Sequence, residues 1–256
     1  MSRQFTRDYT TEVILGNVAG RSRVSVRGHD PTVPNGGPFT LSPTFGVNAF
    51  TIDQSAISAT PAVVGVASTD NTNDTGGGTG ALTVRVFGLD ASGDPATEDV
   101  TMTGTTAVNT VATFSAVHQL SVLTAGSNNA NTGTIYCGTG VFTAGVPAVR
   151  MLSMGIGFNI SLSGYFVVPN AKTLVLRQFI ATIGTSNKDV EVFIETSSDG
   201  VLWYIQGPFG LEAGDFTTEI IALPTFVAGT HLRLSATGSV ASTAVTAIIA
   251  GELIDD

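Results

Sequence analysis

Apolar and polar residues alternate with a period of two through nearly every segment of this 256-residue chain, and a helical period is almost absent. In ALTVRVFG (81–88), Leu82, Val84 and Val86 point one way while Thr83, Arg85 and Phe87 point the other. In DVEVFIETS (189–197), Val190, Val192 and Ile194 share one face, opposite Glu191 and Glu195. RSRVSVRG (21–28), EDVTMTG (98–104), TLVLRQFIATIG (173–184) and THLRLSATG (230–238) read the same way. A helix would scatter these apolar side chains around its axis, whereas a strand gathers them on one side. LDASGDP (89–95), TAGSNNANTG (124–133) and SSDG (197–200) supply the Asn, Asp, Ser and Gly that reverse a chain. Short strands at such spacing predict an all-β fold, a jelly-roll-like antiparallel β-sandwich. The clearest hairpin is EVFIETSSDGVLWYIQG (191–207), where two apolar strands flank Ser198, Asp199 and Gly200.

The chain divides into three parts. Residues 1–45 are expected to form an extended N-terminal arm, its second half kept out of regular ladders by Pro31, Pro34, Pro38 and Pro43. Residues 46–150 are expected to form a first sandwich lobe and residues 151–256 a second; halves of one sandwich are the alternative.

Charge is scarce. Charged residues make up 12% of the chain, about half the usual globular share, against 43% hydrophobic residues. Outward faces made of Thr and Ser account for part of this, and a surface covered by neighbouring subunits would account for more. The formal net charge of −9 argues against direct nucleic-acid binding. It is unevenly spread: Arg3, Arg7, Arg21, Arg23 and Arg27 outweigh Asp8 and Glu12 in residues 1–27, a balance of +3, which leaves −12 for the rest. Those arginines form either a docking arm or, for Arg21, Arg23 and Arg27, the outward face of one alternating strand.

Several chemistries can be tested by spacing. TDNTNDTGGGTG (69–80) suggests a ligand cradle, yet a calcium loop counted from Asp70 would put Thr75 at the sixth position and Ala81 at the twelfth, where Gly and a bidentate acid are needed. No Lys follows its glycines, and it leads into a strand and not a helix, so neither phosphate-loop pattern fits. A chain reversal remains. Cys137 is the only cysteine, which excludes an internal disulfide, and the nomination of Cys137 with His118 as nucleophile and base lacks a surrounding signature. Glu98 and Asp99 are adjacent and must face opposite ways on a strand. Glu191 and Glu195 share a face but lie about 13 Å apart at a rise of about 3.3 Å per residue, too far for a glycosidase pair. No catalytic residue, metal site or cofactor is therefore expected. No stretch has the roughly 18–20 apolar residues of a membrane helix, and no membrane partner is expected. Trp203, Tyr204 and Phe209 are either core aromatics or a platform for a sugar ring.

TGALTVRVFGLDASGDPATEDVTMTGTTAVNT (79–110), followed by VLTAGSNNANTGTIYCG (122–138), resembles a segment of virion structural proteins of tailed bacteriophages, especially podovirus-like marine phages and cyanophages. GNVAGRSRVSVRGHDPTVPNGG (16–37) is similar to their Gly-rich opening arm, and FVVPNAKTLVLRQFIATIGTSNKDVEVFIE (166–195) to their C-terminal half. Such proteins carry no catalytic motif to transfer. The resemblance implies a virion component made in the host cytoplasm, a homo-oligomer with a trimer favoured, and contact with other virion proteins such as the major capsid protein. Capsid decoration, cement or head fibre docked by the arm is the leading expectation. A neck, tail or fibre protein at the portal vertex is the first alternative, and a host-glycan-binding module the second.

Overall fold

The computed structural model describes residues 9–33, 39–40, 60–184, 189–211, 215–219, 224–238 and 243–256. A short helix, α1 (Tyr9–Ile14), precedes β1 (Arg21–Val33) and the two-residue β2 (Phe39–Thr40). Seven strands follow: β3 (Gly65–Ser68), β4 (Ala81–Leu89), β5 (Pro95–Thr101), β6 (Val108–Asn109), β7 (Ala116–Ala125), β8 (Ile135–Thr143) and β9 (Val146–Met154). The remainder holds β10 (Tyr165–Val167), β11 (Lys172–Ile183), β12 (Val190–Ser197), β13 (Tyr204–Leu211), β14 (Asp215–Glu219), β15 (Thr225–Phe226), β16 (His231–Gly238) and β17 (Thr243–Asp255).

The protein is all-β, and its strand pairs are antiparallel, as the alternation predicts. The strands form four sheets, ordered β6-β3-β8-β9, β5-β4-β7, β1-β17-β11-β14 and β10-β16-β12-β13; β15 adds to β11 and β2 to β16. Counted as blades, the four sheets have a propeller-like arrangement, which differs from the expected jelly-roll sandwich.

Two cores account for the alternation. The first draws Val66, Ile135, Cys137 and Leu152 from one sheet and Val84, Val86, Val100 and Leu120 from the other sheet of the 60–154 region. The second draws Leu174, Leu176, Val245, Ala247 and Ile249 from the β1 sheet and Val190, Val192, Ile194, Leu232 and Leu234 from the β10 sheet. Burying each Val, Leu or Ile side chain of these rows is worth about 1.5–3 kcal/mol, so a one-residue slip that turned such a row outward could not be tolerated.

The expected arm is corrected. Residues 21–33 are not a free extension: they pair with β17 from Arg21 opposite Ile254 to Val33 opposite Thr243 and supply Val26 to the second core. Pro31 falls where that register shifts, between Asp30 and Val33, so the proline interrupts the ladder without ending the strand. The arm also contains a helix, α1, with Val13 buried against the body. The expected break at 150 moves as well, because β9 pairs with β8 through Met154. Residues 60–154 thus form a unit inserted between β1 and β10. The chain is still paired to the C-terminal lobe at β2, which meets β16, and returns to that lobe near Tyr165.

Candidate functional site

The cradle-like loop at 69–80 is built around one buried carboxylate. Asp74 is fully buried and accepts hydrogen bonds from Ser68 Oγ (2.6 Å), Gly133 N–H (2.7 Å), Ala81 N–H (2.8 Å), Thr132 N–H (2.9 Å) and Thr132 Oγ1 (3.1 Å). Both oxygens are occupied by protein donors, so the carboxylate serves as an internal knot tying three segments together. A Cβ at position 80 would lie 2.2 Å from Asp74 Oδ1, which explains a glycine there. Asp70 holds the outer turn by accepting from the Asn73 side-chain amide (2.8 Å) and from the N–H groups of Asn73 (2.9 Å) and Thr72 (2.8 Å), and these bonds push its carboxyl well below the usual range. The loop is a chain reversal with a buried anchor, and the sequence reading missed Asp74.

The other acids are similarly engaged. Glu98 accepts from the N–H groups of Val111 and Ala112, whereas Asp99 takes a bidentate contact from Arg85 at 2.6 and 2.9 Å. The two adjacent acids do have separate jobs. Cys137 is completely buried in the first core, and burial pushes its thiol up to about 12, the opposite of an activated nucleophile. Among the described residues, no group of three or more His, Cys, Asp or Glu side chains could hold a metal ion. No helix there is long and apolar enough to cross a membrane.

Of the five arginines, Arg3 and Arg7 lie outside the described residues. Arg21, Arg23 and Arg27 occupy alternate positions on β1 on the side away from buried Val26, which is the alternating-strand possibility. Arg21 reaches Glu252 on β17 at 3.2 Å, and Arg177 reaches the same carboxylate at 3.3 Å. Arg23 and Arg27 are exposed.

Trp203 lies at the seam between the lobes, partly buried, in a cluster with Tyr165, Val167, Leu89, Ala116 and Tyr136. The Arg233 guanidinium stacks over its ring at 4.1 Å, while Tyr165 and His231 meet it edge-on at 6.3 and 6.4 Å. Arg233 is itself held by Glu195 at 2.7 Å, directly across the β12–β16 ladder, and the Glu195 side chain is only 5% exposed. The acid that appeared as half of a distant pair is therefore the anchor of an ion pair. Tyr204 is 56% exposed on β13, and the backbone of Phe209 pairs opposite Val192.

His118 on β7 joins the two lobes. Its Nε2 accepts the Val167 N–H of β10 at 3.1 Å, and its ring lies 4.7 Å from that of Phe166. Residues 159–164 extend this seam: Val122 N–H donates to Asn159, Ser161 N–H to Leu120, and Gly164 N–H to Arg27. Burial, with a smaller effect from neighbouring His231, lowers the His118 pKa to about 3. His231 is lowered too, by burial, against an opposing pull from Asp199; its Nδ1 shares a 2.6 Å hydrogen bond with the Tyr165 hydroxyl. Unfolded chains protonate His118 near pH 6.5 while the folded one resists until about pH 3, so this stability is complete above pH 6.5 and is lost progressively as pH falls toward 3. Urea midpoints should drop between pH 7 and pH 4 by the equivalent of about 1–2 kcal/mol. His118→Gln, which keeps an acceptor but cannot titrate, should reduce that drop; an unchanged drop would show that the seam is not its source.

No family model matches this chain, and no curated protein matches it. Two solved structures of infectious bursal disease virus are similar to this chain at a very low level. The Gt strain is 10% identical over 92% of this chain and 80% of that one, with a TM-score of 0.17. The VP2 subviral particle is 9% identical over 92% and 81%, with a TM-score of 0.14. Likeness at that level carries no argument about this protein.

Proposed function

We propose that this chain is a non-enzymatic structural protein of a bacteriophage virion, most simply a capsid decoration or head-fibre component. The observation that carries the reading is the strand order of the C-terminal lobe. Setting aside the short β2 and β15, its eight strands are β1, β10, β11, β12, β13, β14, β16 and β17. The first pairs with the eighth, the second with the seventh, the third with the sixth and the fourth with the fifth. We read that order as a single antiparallel ribbon wound around one core, like the jelly roll found in viral capsid and lectin domains. On this reading the four blades are two face-to-face pairs, and the 60–154 lobe is an insertion in the first connection. An architecture of this kind hosts many functions, so the likeness of residues 79–138 to phage virion proteins is the second support.

The low charge and the exposed apolar Val111, Val141, Val201 and Leu202 suit a protein that meets other subunits, as a homotrimer or against the major capsid protein. On this reading docking falls to the exposed face of β1 that carries Arg23 and Arg27 and not to an extended arm. Arg23→Glu with Arg27→Glu should weaken binding to particles lacking this protein at least tenfold at physiological salt, without changing the urea midpoint. Full binding by that variant would remove these arginines from the docking role. The glycan reading at Trp203 is less favoured because Arg233 already covers one ring face.

A further inference from the structure

We infer that the cleft between the two lobes is a binding site for a small sugar carboxylate of the uronate class. The cleft has a volume of about 320 Å³, lies between the β1 strand, the outward side of β4 and β7, and the returning segment at 160–166, and is lined by Ser25, Arg27, Phe87, His118, Gln119 and Ser161 among others. That is enough for one ring and too little for a long chain, since ligand pockets begin near 300 Å³.

Its polar side chains include several that can donate: Arg27, His118, Gln119 and Ser161. Because the Val167 N–H donates into His118 Nε2, the neutral imidazole must carry its proton on Nδ1. His118 lines the cleft and its Nε2 is engaged by Val167, so the Nδ1 N–H is the ring's donor for a molecule bound there. The low affinity of His118 for a second proton keeps it a neutral donor across ordinary pH. Ser161 Oγ accepts the Leu120 N–H at 2.8 Å, which leaves its own O–H available to donate. Arg27 has no ion pair among the described residues, and Gln119 stands directly opposite Phe87 in the β4–β7 ladder. Among the described residues no Asp or Glu lines the cleft, although the chain contains 20 acids. Convergent donors around one guanidinium select a carboxylate. Phe87, Ile160 and Phe166 give the apolar wall on which the C–H face of a sugar ring lies, which inorganic phosphate would not use.

The test is calorimetric titration of the full-length protein with glucuronic acid and with glucose, its neutral counterpart. Saturable glucuronate binding is expected, with glucose at least tenfold weaker. Arg27→Gln, at an exposed position, should weaken glucuronate at least tenfold, Gln119→Ala several-fold, and Trp203→Phe not at all. Absence of saturable glucuronate binding, equal binding of glucose, or full binding by Arg27→Gln would each overturn the proposal. Loss of binding in Trp203→Phe with retention in Arg27→Gln would place the sugar at the aromatic cluster and overturn it equally. The site stands independently of the virion reading, because particle labelling tests that reading without any sugar.

Discussion

Asp74→Ala should destabilise the inserted lobe by about 3–5 kcal/mol, the largest effect expected of any single substitution at a polar residue here. The carboxylate accepts five hydrogen bonds from four residues, and its loss would leave the buried N–H groups of Ala81 and Gly133 without an acceptor. Each such orphan costs about 1–3 kcal/mol, and the cavity adds to that. Asp74→Asn should cost less but still more than 1 kcal/mol, since its amide nitrogen would meet a donor wherever it is placed. Urea denaturation followed by Trp203 fluorescence and by far-ultraviolet circular dichroism would measure this. A shift in the far-ultraviolet midpoint below 1 kcal/mol for Asp74→Ala would mean that the knot does not hold the lobe.

Arg233→Ala is the second. It leaves Glu195 buried with its ion-pair partner gone, a situation that costs about 3–5 kcal/mol, and it uncovers one face of Trp203. The double variant Arg233→Met with Glu195→Gln removes both charges and keeps most of the volume, so it should recover more than half of the loss. If the double variant is no more stable than the single one, the cost lies in the packing on Trp203 and not in the unpaired charge. Red-shifted Trp203 emission in Arg233→Ala is expected in either case.

The strands were legible because their periodicity is local. Val190, Val192 and Ile194 face the second core as their spacing requires, and the 197–200 turn is held by Asp199, which accepts from the Leu202 and Val201 N–H groups and the Ser197 hydroxyl and is thereby lowered to about 2. Long-range pairing was not legible. Nothing within RSRVSVRG says that its partner is β17, more than two hundred residues away, so a strand with outward arginines read equally well as an arm. The insertion was hidden for the same reason: the chain reverses through 155–164 with the same Gly and Asn residues as any other turn. Asp74 gave too little signal, because a buried carboxylate and an exposed turn residue look identical in a run of Asn, Asp, Thr and Gly. Trp203 lay between its two readings, and the structure places it in the lobe seam, partly covered by Arg233.

The central claim concerns where the protein resides, and immunogold electron microscopy of phage particles from the source reads that directly. Antibody against this chain should label intact particles, spread over the shell for a decoration protein or confined to one vertex for a neck or fibre protein. Absence of label on both intact and opened particles, with the antibody shown to bind the purified chain, would contradict the virion assignment.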